Sequence, residues 1–291
     1  MTSNDPTRHA FCAQARTQAE VVAQSITAAT GSPVELVFVE TLGDRNKDQP
    51  LHQIGGQGIF VKEVQQAVLR GDADIAVHSA KDLPSQHAEG LVIGAWCERR
   101  DARDALIGKS LNELESGATV ATGSVRRRAQ MLTVRPDLKF VELRGNIHTR
   151  LEKIPENGSI VMAIAALQVL GLTDRIAQAL LTTDFVPMVG QGCVAVECRD
   201  GDAEILAAIA GVDHAQTRYA IEIERAFLAE LGAGCSMPVG AYVNDDGVLS
   251  TFMATGPTNS DRHVKFVEPV PTVNAHEFAR ELARKSQSAL A

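Results

Sequence analysis

No part of this 291-residue chain stays apolar for long. The longest uninterrupted run, Ile160 to Leu167, is eight residues, far short of the roughly 20 that cross a bilayer, so a membrane protein is not expected. The N-terminus, M-T-S-N-D-P-T-R-H, has neither the charged start nor the apolar stretch of a secretory signal. A cytoplasmic location is the expectation. Cysteine is scarce: Cys12, Cys97, Cys193, Cys198 and Cys235 are odd in number and widely spaced, which argues against a disulfide framework. None forms a C-x-x-C pair, and Cys193 and Cys198 have no histidine nearby to complete a zinc site. Reduced thiols and no metal follow. A basic excess is missing too, since the net charge is -8, which speaks against nonspecific nucleic-acid binding.

Hydrophobic residues make up 45% of the chain and charged ones 22%, the balance of a globular protein, and the length suits two or three domains. Charge is unevenly placed. Between Arg99 and Lys153, 12 Lys or Arg stand against 7 Asp or Glu. An anionic ligand held by the middle of the chain explains that surplus, and so does a solvated basic face.

Short β-rich runs alternate with stretches of helical period: V-E-L-V-F-V (34–39), F-V-K-E-V-Q-Q-A-V-L (60–69) and D-I-A-V (74–77). This alternation predicts βαβ units on a mainly parallel sheet. A second set follows in A-T-V-A-T (118–122), a helix over 124–133, F-V-E-L (140–143) and S-I-V-M-A-I-A (159–165). V-A-V-E (194–197) returns the chain to a strand, helices are expected near 203–211 and 215–231, and the last sixty residues read as a small α+β unit. Ligands of such α/β lobes bind at strand ends.

Candidate residues sit there. A-V-H-S-A-K-D-L-P (76–84) places Lys81 and Asp82 at a strand exit, either as a cleft carboxylate with a lysine that keeps it ionised or as a salt bridge closing a turn. G-S-V-R-R-R (123–128) opens a helix with Ser124 as N-cap, and Arg126 and Arg127 add forked donors suited to carboxylates. Consecutive helical residues point about 100° apart, so at most two of the three arginines share a target, and Arg128 is expected to be structural. L-R-G-N-I-H-T-R repeats the theme with Arg144 and Arg150. The glycine loop G-G-Q-G-I-F (55–60), with Gln57, could cradle an anion or serve as a hinge. Cys235 lies in G-A-G-C-S-M-P-V-G (232–240), where missing side chains would let a bulky adduct approach; without an adjacent cation it reads by itself better as an inert buried thiol.

Together these segments resemble the porphobilinogen deaminase family from about Thr41 to Gly240. Seven blocks are in register: G-G-Q-G-I-F-V-K-E, A-V-H-S-A-K-D-L-P, R-R-D-A-R-D-A-L, G-S-V-R-R-R-A-Q, L-R-G-N-I-H-T-R-L, V-G-Q-G-C-V-A-V-E-C-R and E-R-A-F-L-A-E-L-G-A-G-C-S-M-P-V-G. The resemblance implies an α/β protein of two periplasmic-binding-protein-like lobes with mainly parallel sheets plus a C-terminal α+β domain. The divisions are 1–97 with 190–211, 98–189, and 212–291. It implies a transferase of porphyrin biosynthesis that joins four porphobilinogen molecules, with loss of ammonia, into hydroxymethylbilane. Cys235 would carry the covalent dipyrromethane cofactor through a thioether. Asp82 and Lys81 would be catalytic. Lys81, Asp82, Ser124, Arg126, Arg127 and Arg144 would hold the cofactor, and Arg144, Arg150 and Gln57 the substrate. A monomer is expected.

The resemblance also has departures. Ala10 and Cys12 stand where the family's first block has arginine and serine, Val169 replaces an arginine, and Gln57 a lysine. Each charge-assisted hydrogen bond is worth roughly 1.5–3 kcal/mol. A diverged paralogue with altered or lost activity is therefore the alternative reading. A non-enzymatic small-anion binding protein is a third, since solute receptors share the two-lobe plan.

Overall fold

The computed structural model describes residues 13–39, 61–232 and 237–291. Helices α1 (Ala13–Thr30) and α2 (Lys62–Arg70) and strands β1 (Ile75–Ser79) and β2 (Leu91–Trp96) come first. After a crossover the chain builds β3 (Asp104–Gly108), β4 (Thr119–Ala121), α3 (Val125–Val134), β5 (Lys139–Val141), α4 (Ile147–Leu151), β6 (Ser159–Ala163), α5 (Ile164–Val169) and β7 (Gln178–Ala179). It crosses back into β8 (Val194–Arg199), α6 (Ala203–Ile209) and α7 (Ala215–Glu230). It ends in β9 (Val239–Val243), β10 (Val248–Ala254), β11 (His263–Pro269) and α8 (Ala275–Leu290).

These strands form three sheets, ordered β1-β8-β2, β5-β4-β6-β3-β7 and β11-β10-β9. The expected α/β class with a C-terminal α+β unit holds, but the first sheet has only antiparallel ladders and the second is mixed. β4 runs parallel to β5 and β6, whereas β8 is antiparallel to both β1 and β2 and β3 to both β6 and β7. The cause is the double crossover. A strand arriving from the other lobe, β3 or β8, inserts between strands of the βαβ progression and runs against them. Residues 34–39, expected as a strand, join no ladder among the described residues. Val34 packs against the α1 core while Val37 and Phe38 stand exposed.

Burial follows the residue pattern. All five residues of β6, S-I-V-M-A, are buried, as a central strand covered on both faces requires. α8 buries Ala275, Ala279, Leu282, Ala283, Ser286 and Leu290, one stripe at helical spacing. The stripe packs into the core that holds Ile223 and Phe227 of α7 and Val239 of β9.

One carboxylate joins the parts. Glu224 of α7 is fully buried and receives Arg99 Nη1 at 2.6 Å and Nη2 at 3.2 Å from the first crossover. It also accepts the N–H of Gly190 in the second crossover, at 2.9 Å, and that of Val243 at the end of β9, at 2.9 Å. Arg99 adds a bond from Nε to the Gln191 carbonyl at 2.9 Å and lies 4.7 Å above the Tyr242 ring. Removing one partner of a buried, hydrogen-bonded pair typically costs about 3–5 kcal/mol, because the other charge is left without compensation. Glu224→Ala is thus expected to lose about that much stability in urea unfolding, and Arg99→Ala/Glu224→Ala less than the sum of the single changes. A loss under about 1 kcal/mol for the single variant would show that the crossovers hold without this carboxylate.

Candidate active site

Strand β1 ends in a short 3-10 turn, Ala80–Asp82, which presents Lys81 and Asp82. The second crossover fixes that turn. Ala80 N–H donates to the Cys193 carbonyl at 3.0 Å, and Gly190, at φ 72, lies so close that a Cβ would sit 3.0 Å from the Ala80 carbonyl carbon and Cβ and 3.1 Å from Lys81 N. Only glycine suits both the left-handed backbone and that contact.

Asp82 is an exposed residue, yet the surrounding walls displace part of the hydration of its carboxyl and raise it above the ordinary aspartate range. Lys81, His78 and Arg150 pull it the other way. Desolvation lowers Lys81 below the ordinary lysine range, Asp82 and Asp104 oppose that, and Arg127 and Arg150 add to it. Residues of the second lobe, Arg127 and Arg150, therefore act on the Lys81–Asp82 turn of the first. The structure brings these four together.

The arginine helix begins as its sequence predicts, with Ser124 Oγ accepting the Arg127 N–H at 3.4 Å. Two of the three arginines do share a target, and it is a protein carboxylate. Arg126 donates from Nη2 to Asp104 Oδ2 at 2.8 Å and from Nη1 to the Val186 carbonyl at 2.7 Å. Arg127 donates to Asp104 Oδ1 from Nε at 3.0 Å and from Nη2 at 2.7 Å, and from Nη1 to the Val161 carbonyl at 3.1 Å. Gln191 Nε2 adds a third donor to Asp104 at 2.9 Å. Burial alone would raise the Asp104 carboxyl; Arg126 and Arg127 outweigh it and hold the group well below the usual carboxylate range. Arg128 lies over the Phe140 ring at 5.4 Å, a packing role as expected.

Arg144, half-buried, lies 3.7 Å from Glu142, and Arg150 Nε donates to the Gly145 carbonyl at 2.7 Å. Asn146 caps α4 by accepting the Thr149 N–H at 3.0 Å, which sets the turn carrying both. Cys235, Gln57, Ala10 and Cys12 lie outside the described residues, and Val169 is half-buried at the end of α5.

Reading the motifs missed Asp104, Gln191 and the pair behind the turn, His78 and Glu197. His78 Nε2 sits 3.0 Å from Glu197 Oε2, and Gln65 Nε2 donates to both oxygens of that carboxylate at 3.0 and 3.1 Å. All four residues are buried. The sequence signal was present, since His78, Asp104, Gln191 and Glu197 all stand inside the blocks quoted above.

Two α/β lobes that place an acid–base pair on one wall of a cleft and arginines on the other define an enzyme acting on a small, carboxylate-rich molecule. Residues 11–207 match the family model described as the porphobilinogen deaminase dipyromethane cofactor binding domain, and residues 218–261 that of the porphobilinogen deaminase C-terminal domain. The chain belongs to the porphobilinogen deaminase family. It is 48% identical over 233 residues to the porphobilinogen deaminase of Pelotomaculum thermopropionicum, covering 76% of this chain and 75% of that one. To that of Geobacter sulfurreducens it is 40% identical over 262 residues, covering 88% and 82%. Among solved structures it is similar to the periplasmic VFT2 domain of Bordetella pertussis BvgS, with 20% identity, TM-score 0.36 and coverage of 72% and 80%.

The cofactor that the family model names is a pyrrole dimer bearing carboxylates, and the donors present fit it. Lys81, Arg127, Arg144 and Arg150 supply cations, Ser124 a hydroxyl, and Arg126 a buried Nε without a hydrogen-bond partner. Asp104 anchors that set. Because its carboxyl is depressed in the folded chain, its contribution to stability is whole above the unfolded aspartate value near pH 4 and drains away as pH falls toward the folded one. In urea unfolding, Asp104→Asn is expected to lose about 3–5 kcal/mol at neutral pH and to show a shallower decline below pH 4 than the parent. Parallel acid limbs in the two chains would contradict that account.

Proposed function

We propose that this chain condenses four porphobilinogen molecules head to tail, with loss of ammonia, to give hydroxymethylbilane, working on a dipyrromethane attached to Cys235. The observation that carries the reading is the placement of Lys81 and Asp82 opposite Arg127 and Arg150, in a chain whose family membership covers both lobes. The bound dipyrromethane supplies a free pyrrole carbon to which the first substrate is joined.

The residues then have separable tasks. The protonated amino group of porphobilinogen leaves its methylene carbon as ammonia, and the electron pair of the broken carbon–nitrogen bond departs with it. The positive charge left behind is spread over the methylene carbon and the pyrrole nitrogen. Asp82, fixed in the turn and ionised, stabilises that cation and accepts the pyrrole N–H. The methylene carbon would then bond to the free pyrrole carbon at the end of the chain being extended, and the proton lost there would be taken up by the departing ammonia as ammonium. Lys81 supplies a neighbouring positive charge that favours the ionised form of Asp82. Each ring carries an acetate and a propionate, so every step adds about two negative charges to the cleft at neutral pH. Ser124, Arg126, Arg127 and Arg144, with Lys81 and Asp82, are assigned to the cofactor, Arg126 through its buried, unpartnered Nε–H. Arg144, Arg150 and Gln57 are assigned to substrate carboxylates and amide contacts.

The same reading divides the chain into 1–97 with 190–211, 98–189 and 212–291, the last carrying Cys235. It sets the protein in the cytoplasm as a monomer, a reducing setting that suits the free thiols of Cys97, Cys193 and Cys198.

Intact-protein mass spectrometry tests the covalent claim: the purified chain should be heavier by two linked pyrrole units, and Cys235→Ser should not. An unmodified mass after incubation with porphobilinogen would favour a diverged paralogue. The pH profile of kcat tests the roles. Its acid limb should lie above the ordinary aspartate value of about 3.9, rising as Asp82 ionises, and its alkaline limb below the ordinary lysine value of about 10.4, falling as Lys81 deprotonates. Asp82→Asn should cost about 10²- to 10⁴-fold in kcat and abolish the acid limb. Retention of that limb in the variant would place the titrating group elsewhere.

A further inference from the structure

Behind the Lys81–Asp82 turn, the first sheet buries charge. Glu197 of β8 stands opposite Ala76 of β1 in the antiparallel ladder, so His78, two residues further along β1, lies diagonally across from it on the same face. The two side chains meet at 3.0 Å, His78 Nε2 to Glu197 Oε2. Gln65 of α2 donates its Nε2 amide to both oxygens of the carboxylate, at 3.0 and 3.1 Å. All three residues are buried.

A carboxylate taken out of water needs a counterion as well as hydrogen-bond donors. Among the described residues His78 is the one cationic partner within ion-pair distance of Glu197; Arg225 of α7 and His87 act on it from further away. Glu197 accepts from its neighbours, so His78 Nε2 carries a hydrogen, and the pairing gives the ring its positive form. An apolar pack would seat α2 equally well, and Val68 of that helix already packs with Ala76 and Leu91. The polar group therefore has a use other than seating the helix. β1 runs on from Ser79 into the turn, which places His78 four residues before Asp82. Three cations favour the ionised Asp82: Lys81 from its own turn, then His78 from the strand behind, then Arg150 from α4.

We infer that His78 is a positioning residue for Asp82: locked by Glu197 and Gln65, its imidazolium stands behind the turn and keeps the carboxylate ionised for the cation that forms in the cleft. The inference rests on the role proposed above for Asp82. Lys81 cannot serve that end alone, because the carboxylate arms of a bound ligand compete for its charge. His78, only 5% exposed, is beyond the reach of those arms, so its support is the same in every state of the cleft.

A glutamine amide can take the place of a histidine Nε2–H without its charge, whereas an asparagine amide falls nearer Nδ1, so two variants separate the charge from the bond to Glu197. His78→Gln should keep the cofactor mass, the urea midpoint and KM, and should move the acid limb of the kcat profile to higher pH by about half to one pH unit. That is a roughly three- to tenfold loss of kcat on the acid side with the plateau kept. His78→Asn should show the same displacement together with a lower urea midpoint. In the Asp82→Asn background, His78→Gln should cost nothing further in kcat. Nitrogen-15 NMR of the parent at the foot of the acid limb should show both ring nitrogens of His78 protonated. An acid limb left in place by His78→Gln, a further loss in the Asp82→Asn background, or a neutral ring in the spectrum would overturn the role and leave the proposed function standing. Failure of both variants to fold would make the imidazole structural and overturn the role as well. A parent chain that does not turn over porphobilinogen would count against the proposed function and remove the role of His78 with it.

Discussion

The geometry of the cleft depends on a single buried carboxylate. The backbone passes between the lobes twice, and two strands of chain do not by themselves fix an angle between two bodies. Glu224 fixes it, because its two oxygens collect donors from the first crossover, the second crossover and the C-terminal sheet at once. The fully buried position removes competition from water, so each bond is strong and each would be expensive to leave unmade. Arg99 then passes the constraint to the Gln191 backbone, and the Gln191 side chain passes it to Asp104. From Asp104 it reaches Arg126 and Arg127. The turn holding Asp82 is therefore tied to the arginine helix opposite by fixed contacts, and the facing residues are set before any ligand arrives.

That chain of contacts changes the meaning of the positive surplus between Arg99 and Lys153. Much of it is internal structure: Arg99 is spent on Glu224, Arg103 on Asp101, Arg126 and part of Arg127 on Asp104, and Arg135 on Asp137. The arginines that act on the Lys81–Asp82 turn are fewer and more specific, Arg127 and Arg150. A buried ion pair is weak grounds for stability, since desolvation offsets most of the attraction. Its use here is positional, because Arg127 cannot swing away from Asp104 without leaving a charge unpaired.

Much of the fold could be read from periodicity. The apolar run at 159–165, the helical spacing over 215–231 and the strands of the last sixty residues each became the expected element, since local pattern and tertiary burial agree there. Insertion of β3 and β8 against the βαβ direction left no mark, because a strand has the same composition whichever way it runs. The segment 34–39 is rich in β-formers but meets no partner among the described residues, and propensity alone makes no ladder. At the site, the motif spacing picked out Lys81, Asp82, Ser124 and Arg127 as candidates. It gave no hint that Arg126 is committed to Asp104, a partner 22 residues earlier in the chain, because which side chains pair is decided only when the chain is folded.

In the proposed reaction the Lys81–Asp82 pair would favour the transition state over bound substrate. One cause shifts both groups, since the cleft walls penalise either charge, and each charge partly rescues the other. A carboxylate arm entering beside Lys81 steadies the ammonium and, being negative, pushes Asp82 toward its protonated form. The cation that forms as ammonia leaves acts in the opposite sense and draws Asp82 back to the anion. Attraction between Asp82 and the reacting group is therefore weakest with substrate merely bound and strongest when the positive charge has developed. Only interactions of that kind lower the barrier instead of deepening the ground state. In that reading the arginines would hold arms whose charge does not change during the reaction, and so they would contribute affinity while the turn would contribute rate.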